Sequence, residues 1–515
     1  MGRVRFVRRA LALVLMLLLV VSLNAGCTKN DNVSIQTASD WVYQGRVGDI
    51  DSFDPYGSTS SVCDWFTNMT FDTLIYNNSD TQEIEPVLAK SWETNEDNTE
   101  WTFYLQEGVT FHNGDKFTAE DIKFTYEYAA NLNGEANVVK PFAAGTYAEA
   151  EVLDEYTIVF HLHQAMPDFP TYMEMKVYSK NAIETLGHAK GSVIGTGPYY
   201  YDEKETVSGQ VFVATRYENY WGGTDKYKIN HIATKVFGDT NSVIVAMQTG
   251  EIDYAVITAE NYQILSAEPN IEVDMHQGCA SFYLGYNYDT PNCDMNDVSV
   301  RRAIAQCIDK EAIVEMALEG FADVSMNFCP PSGLGYSDKV KTVEYNPEAG
   351  AKVLKEKGVD QLTIVCTVTC LRHAEIVQAC LIEAGIDAKV REIDRTNWTA
   401  FKAARQDYDL FLDNCSYRGA LLYNYNRFLY RGGSSNVFGF ASGEYERLQD
   451  NVLLQSTWED MLSEFEVLQQ WVADNIPLFP LIYNRMFVAR KSSLKGGYLG
   501  GSDNVSNWST LYWEE

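Results

Sequence analysis

The sequence is short of positive charge. Its 515 residues hold 40 Lys and Arg against 71 Asp and Glu, a formal net charge of −31. A surface of that sign repels phosphate backbones, which argues against a nucleic-acid partner. Histidine is scarce, with seven in the chain, and the ten cysteines include no CxxC pair, so no zinc site of the usual paired spacing is expected. There is no GxSxG elbow and no HExxH helix, and the absence of any Gly-Lys dipeptide removes the phosphate-binding loop. Gly195-Thr196-Gly197 lacks the third glycine of a dinucleotide fingerprint. Neighbouring carboxylates such as Glu120 and Asp121 are too common in so acidic a chain to mark a glycosidase pair. Together these absences favour a binding protein over an enzyme, and no cofactor is expected. Disorder is excluded by 46% hydrophobic and 13% aromatic content. At roughly 150 residues per domain, the length suggests two to four domains.

Long apolar runs are also missing, with one exception. Residues 10–23 are apolar except for Ser22 and follow Arg3, Arg5, Arg8 and Arg9. The run is shorter than the ~20 residues of a membrane span and fits the core of an export signal. Next comes Leu23-Asn24-Ala25-Gly26-Cys27, whose small residues before a cysteine resemble a bacterial lipoprotein box, with Leu23 one step further out than the usual pattern. Residues 1–26 are expected to be a lipoprotein signal peptide, Cys27 the lipidated residue and 27–40 a polar tether. The alternative is an ordinary signal cut near Gly26. Removing four arginines would move the charge from −31 to −35.

Beyond residue 40, short strands and helices alternate without repeats, which predicts a mixed α/β fold. Thr118 to Asp121 reads as a capping box, and Gly250 closes a helix over 241–249 before a strand at 252–257. Asp297 and Asn346 cap two further helices, the second carrying Pro347 at its first turn. A helix over 373–384 ends at Gly385, before a strand at 386–390. His161 and His163 could be a metal pair on one strand face or a solvated face without a third ligand. Cys307 and Cys380 fall at apolar helix positions and read as small core residues.

Several stretches then carry a resemblance. Pro86-Val-Leu-Ala-Lys-Ser-Trp-Glu93, Trp101 to Gly114 and Phe117 to Glu127 are followed by Gly195-Thr-Gly-Pro-Tyr-Tyr200, Glu218-Asn-Tyr-Trp221 and Met247 to Tyr254. Asn287, Asp297 to Lys310, Tyr345 to Ala349 and the stretch from Ile476 complete the order. The chain over about 44–515 resembles the solute-binding proteins of the peptide/nickel ABC-transporter family. That resemblance implies a bilobed, three-domain periplasmic-binding-protein-like fold closing on a hinge. It would have a discontinuous first lobe (41–72, 192–278 and 488–515), an inserted domain (73–191) and a second lobe (279–487), with crossovers near 277–280 and 486–489. It also implies a monomeric, extracytoplasmic receptor, anchored by lipid to the cell membrane, that passes a peptide or related solute to an ABC permease. Nickel-chelate, opine or oligosaccharide ligands are the alternatives within the family, and an exported hydrolase is the alternative outside it.

The resemblance also names site residues. Trp398, Arg405 and Tyr483 match residues lining or near the ligand cleft, and His373 is a weaker candidate. The stretch Asp413-Asn414-Cys415-Ser416-Tyr417-Arg418 matches the segment where the family carries a tryptophan and an amine-binding aspartate. Those two positions read Asn414 and Tyr417 here, so Asn414, Cys415, Ser416, Tyr417 and Arg418 are taken as ligand contacts. Arg418 would suit a carboxylate, and Asp413 is the nearest acid able to replace the missing one. Cys279 and Cys415 fall where some oligopeptide receptors of the family carry a disulfide, so that bridge is expected.

Overall fold

A computed structural model of the chain describes residues 40–497 and 511–514, apart from 51, 58–60, 79–80, 132–146 and 418. The expected signal segment, Cys27, the tether up to residue 39 and Arg418 lie outside the described residues.

Local punctuation decides many of the helix ends. Thr118 N donates to the Asp121 carboxylate (2.8 Å) at the start of the helix Ala119–Asn131. Asp239 caps Thr240–Thr249 through Ser242 N (2.9 Å), and Gly250 ends it at φ +74°, a conformation that suits glycine. The strand expected from residue 252 begins at Tyr254, because Glu251 N (2.8 Å) and Ile252 N (3.3 Å) still bond to Ala246 O at the helix end. Asp297 and Asn346 cap Val298–Gln306 and Pro347–Glu356 as the sequence suggests. The helix expected from His373 starts two residues earlier and spans Leu371–Glu383, followed by Gly385 at φ +90°.

The architecture is mixed α/β and bilobed. Ten strands of one long sheet lie in the order Asp387–Glu392, Gln361–Cys366, Leu410–Ser416, Ile271–Tyr286, Leu478–Lys491, Tyr254–Ile257, Trp41–Val47, His231–Phe237, Val211–Arg216 and Tyr199–Tyr201. An eleventh, Ala322–Val324, pairs with Leu478–Lys491. A separate antiparallel sheet is ordered Ala89–Thr94, Glu100–Leu105, Thr157–Leu162 and Tyr147–Asp154. Its core contains Phe103, Phe111, Tyr126 and Phe160, distinct from the core of residues 282–482. A third set around Trp65, Phe66, Tyr199 and Ile232 draws in Val488, Leu494 and Leu511 from the C-terminal end.

Two long strands join the halves of the large sheet. Residues 487–490 of Leu478–Lys491 pair with 254–257, and residues 280–286 of Ile271–Tyr286 pair with 410–416. The two strands pair with each other along most of their length, with a register shift between Gln277 and Ser281. Asn484 Oδ1 accepts from Ala280 N (2.9 Å) at this irregularity, and a Cβ on Gly278 would collide with the Asn484 side chain. A bulge held by one side chain is a place where a strand pair can bend without losing its whole ladder.

Candidate ligand cleft

A cavity of about 800 Å³ lies between two walls from distant parts of the chain. One wall comes from residues 64–87 and 171–176, the other from Tyr283 and residues 395–437.

The first wall is positioned by two stretches of the family pattern. The Gly195-Thr196-Gly197 turn lies flat on the end of the helix Ser61–Thr70, where a Cβ on Gly197 would approach the Thr70 backbone to 2.6 Å. Thr196 Oγ1 accepts from Asp72 N (3.3 Å), while Trp221 Nε1 (2.8 Å) and the Tyr220 hydroxyl (3.2 Å) donate to the Asp72 carboxylate. Burial outweighs these bonds and pushes the Asp72 carboxyl up to about 6. Beside it, Lys176 donates to Thr67 Oγ1 (2.8 Å) and lies 4.0 Å from Asp64, and Glu174 accepts from Asn77 Nδ2 (3.0 Å).

The second wall centres on Asp413. Helical spacing puts Trp398 and Lys402 on one face of the helix Trp398–Ala404. Both reach the same carboxylate oxygen: Trp398 Nε1 and Lys402 Nζ each donate to Asp413 Oδ2 at 2.6 Å. The Lys402 ammonium also lies over the Trp398 ring (4.8 Å) and the Phe411 ring (5.0 Å). Lys402 and Asp413 are each 8% exposed, so this is a buried, satisfied ion pair. Asn414, Cys415 and Ser416 follow along the wall. Burial pushes the Cys415 thiol up to about 12, so it sits there as a neutral, poorly nucleophilic group.

Of the residues named from sequence, Trp398, Asn414, Cys415 and Ser416 line the cavity. Three others do not. Arg405 ends its helix at φ +50° and pairs with Asp289 (2.6 Å), away from the cavity. Tyr417 is 1% exposed and packs on Phe328, because the chain turns inward once Tyr417 N has bonded to Cys279 O (2.9 Å). Tyr483 is buried, and its hydroxyl bonds to Cys329 O (3.0 Å) and accepts from Asn327 N (3.1 Å), tying down the 327–329 segment. His373 is buried and stacked on Phe282 (4.6 Å). His161 contacts Glu100 (3.0 Å) and Glu151 (3.1 Å) on an exposed strand face, and no metal-holding cluster forms among the described residues.

The expected disulfide is not formed: no bond joins Cys279 to Cys415. Register explains this. Ser281 faces Cys415 across the ladder, so Cys279 lies diagonally, two residues further along. Diagonal neighbours are about 7–8 Å apart, beyond the usual span of a disulfide.

Sequence reasoning missed Lys402, Arg427 and the carboxylates of the first wall. The Trp398–Lys402 spacing was a visible signal for the first; nothing local marks the others.

A two-walled cleft across a pair of shared strands is the arrangement of a bilobed solute-binding protein. Residues 83–436 match the middle region of the bacterial extracellular solute-binding proteins, family 5, and the chain belongs to that family. It is 22% identical to heme-binding protein A of Haemophilus influenzae over 475 residues, covering 84% of each chain. Among solved structures, the ABC transporter substrate-binding protein CtaP of Listeria monocytogenes superposes with a TM-score of 0.81 at 21% identity, covering 93% of this chain and all of that one. The periplasmic binding protein DppA of Helicobacter pylori, solved with the peptide STSA, gives 0.74 at 24%, covering 92% and 98%. At these identities the two structures establish the shared fold.

Proposed function

We propose that the chain is the extracytoplasmic receptor of an ABC importer, holding a peptide or peptide-like solute between its lobes and delivering it to the permease without chemical change. The observation that carries this reading is the edge of the strand Leu410–Ser416. Its pairing with Gln361–Cys366 stops at Leu412, while its pairing with Ile271–Tyr286 continues to Ser416. Main-chain groups of 413–416 therefore border the cavity on a side where no described strand pairs with them, as an extended peptide added as a strand requires. The cavity volume suits a small ligand held over most of its surface.

In this reading the lobes divide as 41–72 with 192–278 and 488–515, then 73–191, then 279–487, and the bulged strand pair is the hinge. The monomer is tethered to the membrane by lipid on Cys27. Native mass spectrometry of the purified protein should reveal a peptide-mass ligand released on denaturation, and a peptide pool should raise the melting temperature without being hydrolysed. Steady turnover of the pool would defeat the receptor reading. Labelled palmitate should enter the wild type and not Cys27→Ser.

A further inference from the structure

We propose that Arg427 is the carboxylate anchor of this cleft, receiving the free C-terminal carboxylate of the ligand on the second-lobe wall. The proposal rests on the peptide reading above.

The two walls carry opposite charge. Asp64, Asp72 and Glu174 outnumber Lys176 on the first, while Arg395, Lys402 and Arg427 outnumber Asp413 on the second. Among the described residues of the second wall the lone acid is already committed, since Asp413 is held by Lys402 at 2.6 Å with Arg395 3.9 Å away. Arg427 has no such partner: no described carboxylate forms an ion pair with it, in a chain where acids outnumber bases 71 to 40.

Arg427 is also built into place. It sits on the helix Tyr423–Leu429, half-buried, with its guanidinium 5.2 Å from the centre of the Phe428 ring. Nε donates to Ser435 Oγ at 2.7 Å, which orients the plane and leaves both Nη groups without a hydrogen bond to any described residue. A fixed guanidinium with its donor pair unclaimed matches the two oxygens of a carboxylate. Tyr417 is buried away from the cavity, and Asp413 is ion-paired in place. Polarity at this wall therefore favours the acidic end of a peptide over its amino end.

Tetrapeptides lacking charged side chains, prepared as free acids and as C-terminal amides, are titrated by calorimetry into the full chain as wild type, Arg427→Gln and Arg427→Lys. The wild type should bind the acids at least about tenfold more tightly than the amides, the scale of one charge-assisted hydrogen bond. In Arg427→Gln the ratio should fall to roughly threefold or less, and Arg427→Lys, a point charge without the fork, should keep part of it. Unchanged melting temperatures would show that the variants are folded. Amides binding the wild type as tightly as acids, or a ratio unaltered in Arg427→Gln, would overturn the anchor and leave the peptide reading intact. If neither series binds the wild type, the peptide reading falls and the anchor falls with it.

Discussion

At the residue scale, the cleft is held in shape by groups that are buried and ionic at once. Lys402→Met would leave Asp413 as a buried carboxylate without its cation, an arrangement that typically costs about 3–5 kcal/mol. Urea unfolding should show that loss, and Lys402→Met with Asp413→Asn should lose less than the two single changes added together. Tyr417→Asp would place a carboxylate against Phe328 rather than in the cavity, so it should destabilise the protein and create no amine site. His112 gives a pH signature. Its Nε2 donates to Gly197 O (2.9 Å), its Nδ1 accepts from Gly195 N (3.3 Å), and burial pushes the ring down to about 4. The unfolded chain, near 6.5, therefore takes up the proton first as pH falls. The stability contributed by neutral His112 is complete above about 6.5 and lost towards 4, amounting to at most about 3 kcal/mol. Midpoints measured between pH 7 and 4 should fall less steeply in His112→Gln than in the wild type.

At the element scale, the hairpin of Ile75–Asn78 and Glu83–Pro86 reaches across the cleft. Gln82, at φ +59°, accepts from Gly335 N (2.5 Å) through its side chain, donates to Gly333 O (3.2 Å), and accepts from Trp458 Nε1 (3.3 Å) at its carbonyl. These bonds join residues more than 250 positions apart, and on the hinge reading they would break as the lobes part. Contacts made in one of two states shift the balance between them by their own free energy. Gln82→Ala should therefore weaken ligand binding about three- to tenfold, with the cavity side chains untouched. Calorimetry checks the affinity, and small-angle scattering of the unliganded variant should show a more extended average. The fold of these elements was largely legible beforehand. Asp239, Asp297, Asn346 and Gly250 mark their helices through bonds spanning two to four residues. Where a boundary moved, as at Tyr254, a helix cap had taken the backbone groups that a longer strand would have used.

At the scale of the whole molecule, two walls on a bulged strand pair predict closure as a rigid-body motion. Saturating ligand should reduce the radius of gyration and, at a free concentration ~100 times Kd, stabilise the protein by about 2.7 kcal/mol. Scattering profiles that coincide with and without bound ligand would contradict a hinge. The sequence by itself determined the α/β class, several helix caps and the family, because caps, glycines and short motifs act over a few neighbouring residues. The tertiary structure alone decided which side chains line the cavity. Strand register set Cys279 diagonal to Cys415 and left them unbridged, and an inward turn after Ser416 took Tyr417 out of the cleft. Packing of segments far apart in the chain brought Asp72, Glu174 and Arg427 to one cavity. Facing depends on register and on contacts hundreds of residues away, and no local pattern encodes either.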